Sequence, residues 1–182
     1  IFANFGMNLI PVIYICFGSI PDYLHINIEL AARHNPVVIL TNKFDVGEKD
    51  YDHVKQLQNI SVQFVQLERY EKGAKDYAPY YRHLSKDHTK GRKTHELHCI
   101  QRWFVLKDYM EINNISHAFF GDGDSSVYTN ITKAALLRSH CDVMINIDRQ
   151  NHEYYWVGAG EASLWTLEGI SDFCRFTKIM YQ

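Results

Sequence analysis

The sequence predicts an α/β fold in which a mostly parallel sheet is flanked by helices on both faces. Short runs of β-branched and aromatic residues alternate along the chain with longer segments of helical character. The first two runs are almost wholly apolar, as expected for strands that are covered on both faces. The first strand–helix–strand unit spans about thirty residues, the usual length of a parallel crossover. A chain of 182 residues suffices for one such core, so we predict a single domain over residues 1–182.

Composition excludes several classes of protein. Hydrophobic residues make up 46% of the chain, which indicates a globular rather than a disordered protein. The net charge of −2 excludes a broad nucleic-acid footprint. The longest apolar stretch, Leu9–Phe17, is nine residues long and too short to cross a membrane. The chain begins with Ile rather than Met, so we expect it to be a fragment and leave its compartment open.

The N-terminal part contains the first strand–helix–strand unit. A β-branched strand over Ile10–Phe17 ends at Gly18–Ser19. A helix is predicted over Tyr23–His34, and Asn35–Pro36 breaks it. The face of this helix that packs on the sheet is expected to carry Ile26, Leu30 and Ala31. A second buried strand over Val37–Leu40 leads to Asn42.

The middle of the chain is less regular. We predict a short helix over Asp52–Leu57 and a strand over Val62–Leu67, where apolar and polar residues alternate. A long polar loop is expected over Arg69–His95. The clearest helix follows over Glu96–Asn113, with an apolar stripe at helical spacing. Arg102 lies at the edge of that stripe, where an arginine can either reach an anion or cover an aromatic ring.

The chain is organised around Ser116–Tyr128, with the sequence SHAFFGDGDSSVY. The apolar run Ala118–Phe120 predicts a buried strand that ends in the pair Asp122 and Asp124, with Gly123 between them. In open α/β sheets, ligands bind at the carboxyl ends of the strands. Two carboxylates there are suited to a hard divalent cation that holds a phosphate. The alternative is an acidic turn on a solvated surface.

The C-terminal third continues the alternation. Its predicted segments are a helix over Ile131–Ser139, a strand over Val143–Ile147, a strand or lid over His152–Val157, and a helix over Thr166–Tyr181. Between the last two, the glycine-containing segment Gly158–Ser163 is predicted to be a loop whose backbone can approach a ligand closely. The inner face of the last helix is expected to carry Leu167, Ile170, Cys174 and Tyr181.

Four stretches together resemble the nucleotide-diphospho-sugar transferases with the GT-A fold. They are the opening strand IPVIYICFGS, the helix CIQRWFVLKDYM, the acidic motif FFGDGDSSVY and the segment GAGEASLWTLEGISDFCRF. Their order and spacing are similar to the family's from about Leu9 onward. The resemblance implies a Rossmann-like GT-A domain that uses Mn²⁺ or Mg²⁺ to move a sugar from a nucleotide diphosphate. A UDP-sugar is the favoured donor, and the acceptor is left open.

The resemblance also implies roles for residues at the acidic motif. Asp122 would face the ribose or the metal, Asp124 would ligate the metal, and Gly123 would lie against the cofactor. Arg102 would face the base or a phosphate. The loop Gly160–Ser163 would face the transferred sugar or the acceptor.

Further implied contacts lie at the ends of the first two strands. Gly18 and Ser19 would line the nucleotide after the first strand, and Asn42 would do so after the second. The family normally supplies another metal ligand, often His or Asp, from beyond the last helix, so we expect an incomplete catalytic domain. An inverting enzyme needs a general base, for which Glu161 and Asp148 are candidates. A retaining enzyme needs none, and both stereochemistries stay open.

Two other functions compete with this interpretation. A haloacid dehalogenase-type phosphohydrolase also places D-x-D after an apolar strand and would use Asp122 as its nucleophile. That motif usually opens its domain, whereas two strand–helix elements come first here, and no G-D-x-x-x-D follows Asp124. A non-catalytic domain that binds a nucleotide sugar is the second alternative. An EF-hand is excluded because Val127 and Lys133 occupy its Gly and Glu positions.

Overall fold

The structure, a computed structural model, describes residues 9–43, 61–82, 90–136, 140–149 and 156–182, without the side chains of residues 90, 92, 146–149 and 156–160. The helix predicted over Asp52–Leu57 lies outside these ranges, as does most of the segment His152–Val157. Within the part of the chain that is described, no helix is both long and apolar enough to span a bilayer.

The described residues form one sheet with helices between its strands. The strands are β1 (Val12–Cys16), β2 (Val37–Thr41), β3 (Val62–Gln66), β4 (His117–Gly121), β5 (Val143–Arg149) and β6 (Trp156–Thr166). The helices are α1 (Leu24–Ala32), α2 (Lys72–Tyr77), α3 (Lys90–Ile112), α4 (Ile131–Leu136) and α5 (Leu167–Tyr181). Short 3-10 turns at Leu67–Tyr70 and Ala78–Tyr80 flank α2. The five strands predicted before His152 and the three longest predicted helices are therefore present.

The six strands of the described sheet lie in the order β3-β2-β1-β4-β6-β5. The first four are parallel, whereas β6 is antiparallel to both β4 and β5. The chain moves outward from β1 to β3 and then returns to place β4 on the other side of β1. The connection after β1 therefore runs toward β2, whereas the connection after β4 runs toward β5 on the other side. Connections that diverge in this way open a crevice at the carboxyl ends of the two strands.

Each face of the sheet carries its own apolar core because strand side chains alternate between faces. On one face, Ile13 and Phe120 pack with Leu106 of α3, Ile170 of α5 and Tyr77 of α2. On the other face, strand residues pack against the two remaining helices; Val12, Tyr14, Ile39, Ile28 and Ile131 belong to this second core. The mostly parallel sheet with helices on both faces is thus as predicted.

The expected inner face of α1 is right for Ala31 but wrong for Ile26. Leu24, Asn27, Ile28 and Ala31 are buried, whereas Ile26 is 64% exposed. The buried residues follow the i, i+3, i+4, i+7 pattern of one helix face. This rotation turns the polar Asn27 inward, a position that apolar spacing alone does not predict.

The long loop predicted over Arg69–His95 is also wrong in its described parts, which are largely helical. Tyr70, Ala74 and Tyr77 recur at i, i+4 and i+7 and are all buried in the first core. Charged residues between them conceal this short amphipathic pattern. The start of α2 is held by the Asp108 carboxylate, which accepts a hydrogen bond from the Gly73 backbone N–H at 2.7 Å.

The loop predicted over Gly158–Ser163 is part of β6 instead. Gly158 and Ala159 pair with β5, Ala162 pairs with β4, and Ser163 pairs with both strands. The pairing with β5 shifts where Ile145 opposes Ser163 but Asn146 opposes Ala159. The intervening residues of β6 therefore form a bulge beside the end of β4.

Candidate functional site

The candidate site lies where the carboxyl ends of β1, β2 and β4 meet at one edge of the sheet. β4 pairs with β1 through Val12–Phe119 and Ile13–Phe120, so the acidic motif emerges next to the end of β1. This is the point at which the strand order reverses, and it is where ligands bind in open α/β sheets. The strand predicted before the acidic motif is therefore confirmed, and it lies beside the first strand.

The turn formed by residues 122–126, here called the acidic turn, is tied to the bulge of β6. The Asp122 backbone N–H donates to the Glu161 carbonyl oxygen at 2.7 Å. The Ser125 hydroxyl donates to the same oxygen at 3.0 Å. Within the turn, the Ser125 N–H donates to the Asp122 carbonyl oxygen at 2.8 Å. The Glu161 carbonyl thus holds the turn at Asp122 and again at Ser125.

Arg102 pairs with the first aspartate of the motif. Its Nη1 lies 2.7 Å from Oδ2 of Asp122, and its guanidinium lies 5.6 Å from the centroid of the Phe120 ring. The Arg102 side chain is 15% exposed and that of Asp122 36% exposed. Arg102 therefore does both things that its position allowed: it contacts an anion and covers an aromatic ring. The second Asp122 oxygen, Oδ1, accepts the Gly123 N–H at 2.8 Å.

Asp124 differs from Asp122 because it is exposed at the edge of the crevice. In the described residues, no cluster of three or more His, Cys, Asp or Glu side chains is arranged to hold a metal ion. Mg²⁺ is commonly bound by one or two carboxylates together with substrate phosphates rather than by an all-protein cage. Asp122 and Asp124 are therefore the residues that can hold a divalent cation here, provided that a diphosphate supplies further oxygens.

The residues predicted to line a nucleotide meet at the ends of β1 and β2. The Gly18 N–H donates to Oδ1 of Asn42 at 2.7 Å, and the Thr41 hydroxyl donates to the Gly18 carbonyl oxygen at 3.0 Å. Gly18 has a φ of +120°, a conformation that favours glycine. No atom lies within 4 Å of the position where a Cβ would stand, so this backbone faces open space. Ser19 is exposed next to it.

A pocket of about 250 Å³ opens next to Gly18 and Asn42. Its lining comes from the ends of β1 and β2 and from α2 and α3: Phe17, Gly18, Asn42, Glu71, Ala74, Lys75, His98 and Gln101. The Phe17 and His98 rings stack at 4.5 Å between centroids. Burial, with the nearby positive charge of Arg102 and the neighbouring His95, lowers the pKa of His98. The pocket thus offers a flat aromatic wall and several polar groups.

The two predicted general bases are placed differently. The Glu161 side chain is exposed next to the acidic turn, although it is the backbone carbonyl of this residue that holds the turn. Asp148 lies in β5 opposite Val157, and its side chain is outside the described part. Because β6 separates β5 from β4, Asp148 is farther from the acidic turn along the sheet than Glu161.

Cys16, at the end of β1, lies near the acidic turn and has a thiol with a raised pKa. Burial, with the negative charge of Asp122 nearby, raises the pKa of the Cys16 thiol to about 12, against the opposing effect of Arg102. A raised pKa favours the protonated thiol at neutral pH, which makes Cys16 a poor nucleophile.

Several residues of the site escaped the sequence reasoning. His98 and Gln101 face the pocket from the same helix as Arg102, one turn apart from each other, and this spacing was the available signal. Asn27 occupies a position in the apolar stripe of α1, and a polar residue within such a stripe is the signal that would have found it. Phe17 gave no signal beyond its place at the end of a strand.

No protein-family model and no curated protein sequence matches this chain. Among solved structures, it is similar to mouse xyloside xylosyltransferase 1 in its apo form, with a TM-score of 0.58 and 10% sequence identity. The match covers 96% of this chain and 74% of that one. The Rossmann-like α/β fold is therefore shared with a glycosyltransferase.

Two further solved structures match less well. A cytidylyltransferase from Leptospira borgpetersenii serovar Hardjo-bovis has a TM-score of 0.44 and 14% identity, covering 91% of this chain and 63% of that one. HddC from Yersinia pseudotuberculosis has a TM-score of 0.48 and 10% identity, covering 90% of this chain and 80% of that one.

Proposed function

We propose that this chain is a metal-dependent glycosyltransferase domain that moves a sugar from a nucleotide diphosphate, with UDP-sugars favoured, to an acceptor. The observation that carries the proposal is the position of the acidic turn. Asp122 and Asp124 follow β4, which lies next to β1 at the point where the strand order reverses. Ligands bind at that point of open α/β sheets. The shared fold with a xylosyltransferase supports it at the level of architecture.

The chain's own residues supply a path for the donor along this edge. The base would enter the pocket, with one face against the stacked Phe17 and His98 rings. The diphosphate would then pass the exposed backbone of Gly18 toward the acidic turn. This order places the sugar, the last group of the donor, beyond Asp124.

The charges at the acidic turn suit a leaving nucleoside diphosphate. When bound, Mn²⁺ or Mg²⁺ supplies positive charge that stabilises the diphosphate as the bond to the sugar breaks. Asp124 is exposed and available for such an ion, whereas Asp122 is oriented by Arg102 and the Gly123 N–H. Arg102 also keeps its positive charge beside the acidic turn, where it can attract a phosphate.

The acceptor side is proposed to lie beyond the bulge of β6. Glu161 is exposed there, within the bulge and next to the acidic turn, so it is our preferred general base if the reaction inverts the anomeric centre. Asp148 is the second candidate. In a retaining reaction, neither carboxylate would need to take the acceptor proton.

The test is the Mn²⁺ dependence of UDP binding by isothermal titration calorimetry. We expect Asp124→Ala to lose the gain in UDP affinity that Mn²⁺ provides, while its circular dichroism spectrum and melting temperature stay near those of the wild type. Asp172→Ala is the matched control because Asp172 is an exposed aspartate on α5, away from the crevice. UDP affinity that is unchanged in Asp124→Ala, with and without Mn²⁺, would reject the assignment.

The phosphohydrolase alternative is tested in the same preparation by assaying phosphate release without a sugar donor. Phosphate release in that assay would favour this alternative, in which Asp122 is the nucleophile. UDP binding without any sugar turnover, including hydrolysis of UDP-sugars, would instead favour a binding domain without catalysis.

A further inference from the structure

A buried asparagine lies directly beneath the acidic turn. Asn27 on α1 is 6% exposed. Its Nδ2 donates to the Gly123 carbonyl oxygen at 2.7 Å, and its Oδ1 accepts the Ser126 hydroxyl at 2.6 Å. One side chain thus holds the backbone between the two aspartates and also the far end of the turn.

The effect of the first bond follows from glycine's freedom. The Gly123 carbonyl belongs to the peptide unit that leads into Asp124, so its direction sets the direction in which Asp124 leaves the turn. Glycine has more backbone conformations available than other residues. Without Asn27, the peptide after Gly123 would therefore have no side chain to select one orientation.

A second buried group supports the same turn. The Tyr14 hydroxyl lies 3.4 Å from the Ser125 carbonyl oxygen and 3.5 Å from the Asn27 carbonyl oxygen. The Tyr14 ring passes under Gly121, where an added Cβ would stand 2.8 Å from Tyr14 Cε1. The Tyr14 hydroxyl has one proton, so it can donate to the backbone carbonyl of Asn27 or to that of Ser125, and either contact joins this region to β1.

We propose that Asn27 is a positioning residue, which sets the direction of Asp124 and thereby the affinity of the acidic turn for a divalent cation bound with a nucleoside diphosphate. The inference rests on the proposed function. Partners that orient metal ligands from behind typically change metal affinity by about 10- to 100-fold when removed. Asn27 does not itself touch the cation or the donor in this proposal.

The chain offers a matched control in Asn35. It is 4% exposed, and its side chain joins the Ala31 and Thr129 carbonyl oxygens to the Ile131 N–H at 2.8–3.1 Å. Asn35 therefore has the same residue type, burial and kind of contacts as Asn27. Its contacts, however, lie beyond the acidic turn, so its removal destabilises the fold without freeing Gly123.

The experiment measures the Kd for UDP with Mn²⁺ and with EDTA, and takes the ratio for each variant. We expect Asn27→Ala to reduce the gain from Mn²⁺ by roughly tenfold, while Asn35→Ala lowers the melting temperature but keeps the wild-type ratio. Ser126→Ala removes the hydroxyl that holds Oδ1 of Asn27 and thereby directs Nδ2 to the Gly123 carbonyl, so it should reduce the gain in the same direction. Because Ser126 is exposed, Ser126→Ala is expected to fold, and it decides the test if Asn27→Ala does not fold.

A wild-type ratio in Asn27→Ala, or equal losses in Asn27→Ala and Asn35→Ala, overturns the positioning role and leaves the proposed function intact. If Asn27→Ala does not fold, a wild-type ratio in Ser126→Ala overturns it. A wild-type chain that binds UDP equally well with Mn²⁺ and with EDTA, or not at all, overturns the proposed function and this inference together. The two failures are therefore distinguishable from the wild-type measurement alone.

Discussion

At the scale of single residues, Arg102 shows how one side chain can join a core to a site. Its helix contributes Phe104, Val105 and Leu106 to the first core, while Arg102 itself turns to the Asp122 carboxylate. The pair is only partly exposed, so it is screened less than an ion pair on the surface. Breaking it leaves Asp122 next to Asp124 without its counter-charge.

We predict that Arg102→Gln lowers the free energy of unfolding by about 1–2 kcal/mol, between the values for exposed and fully buried pairs. Urea unfolding monitored by circular dichroism measures this. Arg175→Gln is the control because its pair with Asp172 is exposed, and a change within about 0.5 kcal/mol is expected there. Equal effects in the two variants would contradict a structural role for the Arg102 pair.

His98 gives a prediction about pH. Its pKa is lowered, chiefly by burial, from the usual value of 6.5. Below pH 6.5 the unfolded chain binds a proton at this residue while the folded chain does not, so acidification favours unfolding; above 6.5 His98 contributes no pH dependence. As the pH falls from 7 to the lowered pKa of His98, we expect the free energy of unfolding to decrease less in His98→Gln than in the wild type. The same substitution at exposed His140, followed by urea titrations across that range, is the control; identical pH profiles would refute the prediction.

At the scale of elements, β4 depends on the absence of a side chain at Gly121. An added Cβ would stand 2.8 Å from Tyr14 Cε1, closer than real Cβ contacts allow. We predict that Gly121→Ala costs about 1–3 kcal/mol of stability because the buried Tyr14 ring has to move. Gly91→Ala is the contrasting variant, since no atom lies within 4 Å of its Cβ position near the start of α3. It should stabilise the chain by about 0.4–1 kcal/mol. Urea curves that shift in the same direction would contradict this.

Elements were predictable from the sequence where apolar periodicity was long or uninterrupted. The strands β1 and β2 follow from continuous β-branched runs, and α3 from a stripe repeated over many turns. The face of α1 was missed because Asn27 is polar but packs inward on two hydrogen bonds. The helix α2 was missed because its buried residues are few and lie among charges. The first half of β6 was missed because its pairing with β5 joins distant parts of the chain and overrides the preference of glycine for loops.

The candidate site was predictable to a similar extent. The carboxyl ends of strands point to Gly18, Asn42 and the acidic motif without any coordinates. The contact between Arg102 and Asp122 depends on how a helix and a strand cross, and linear spacing does not contain this information. The same is true of the contact between Asn27 and Gly123, which joins residues far apart in the chain.

At the scale of the whole molecule, the sheet is shared by two cores that lie on its opposite faces. Every central strand contributes side chains to both cores, so damage to one face is expected to weaken the other. Leu106 and Ile28 are fully buried in the first and second core, respectively. They provide matched probes of this coupling.

We predict that Leu106→Ala and Ile28→Ala each lower stability by about 2–5 kcal/mol within one cooperative transition. Tryptophan fluorescence reports the first core, where Trp103 and Trp165 pack, and far-ultraviolet circular dichroism reports all elements. The two urea curves of each variant are expected to coincide. Curves that separate in either variant would show that the faces unfold independently.

The return of the chain to β1 has a kinetic consequence. Val12 lies in register with Phe119, so the strand that carries the acidic turn can join the sheet only after a long stretch of chain has been closed into a loop. Pairings at such large sequence separation are slow to form. During refolding from urea, the proposed capacity to bind a nucleotide should therefore emerge late, after most of the helical signal has returned. A chain halted before that step would have much of its secondary structure and no affinity for a ligand.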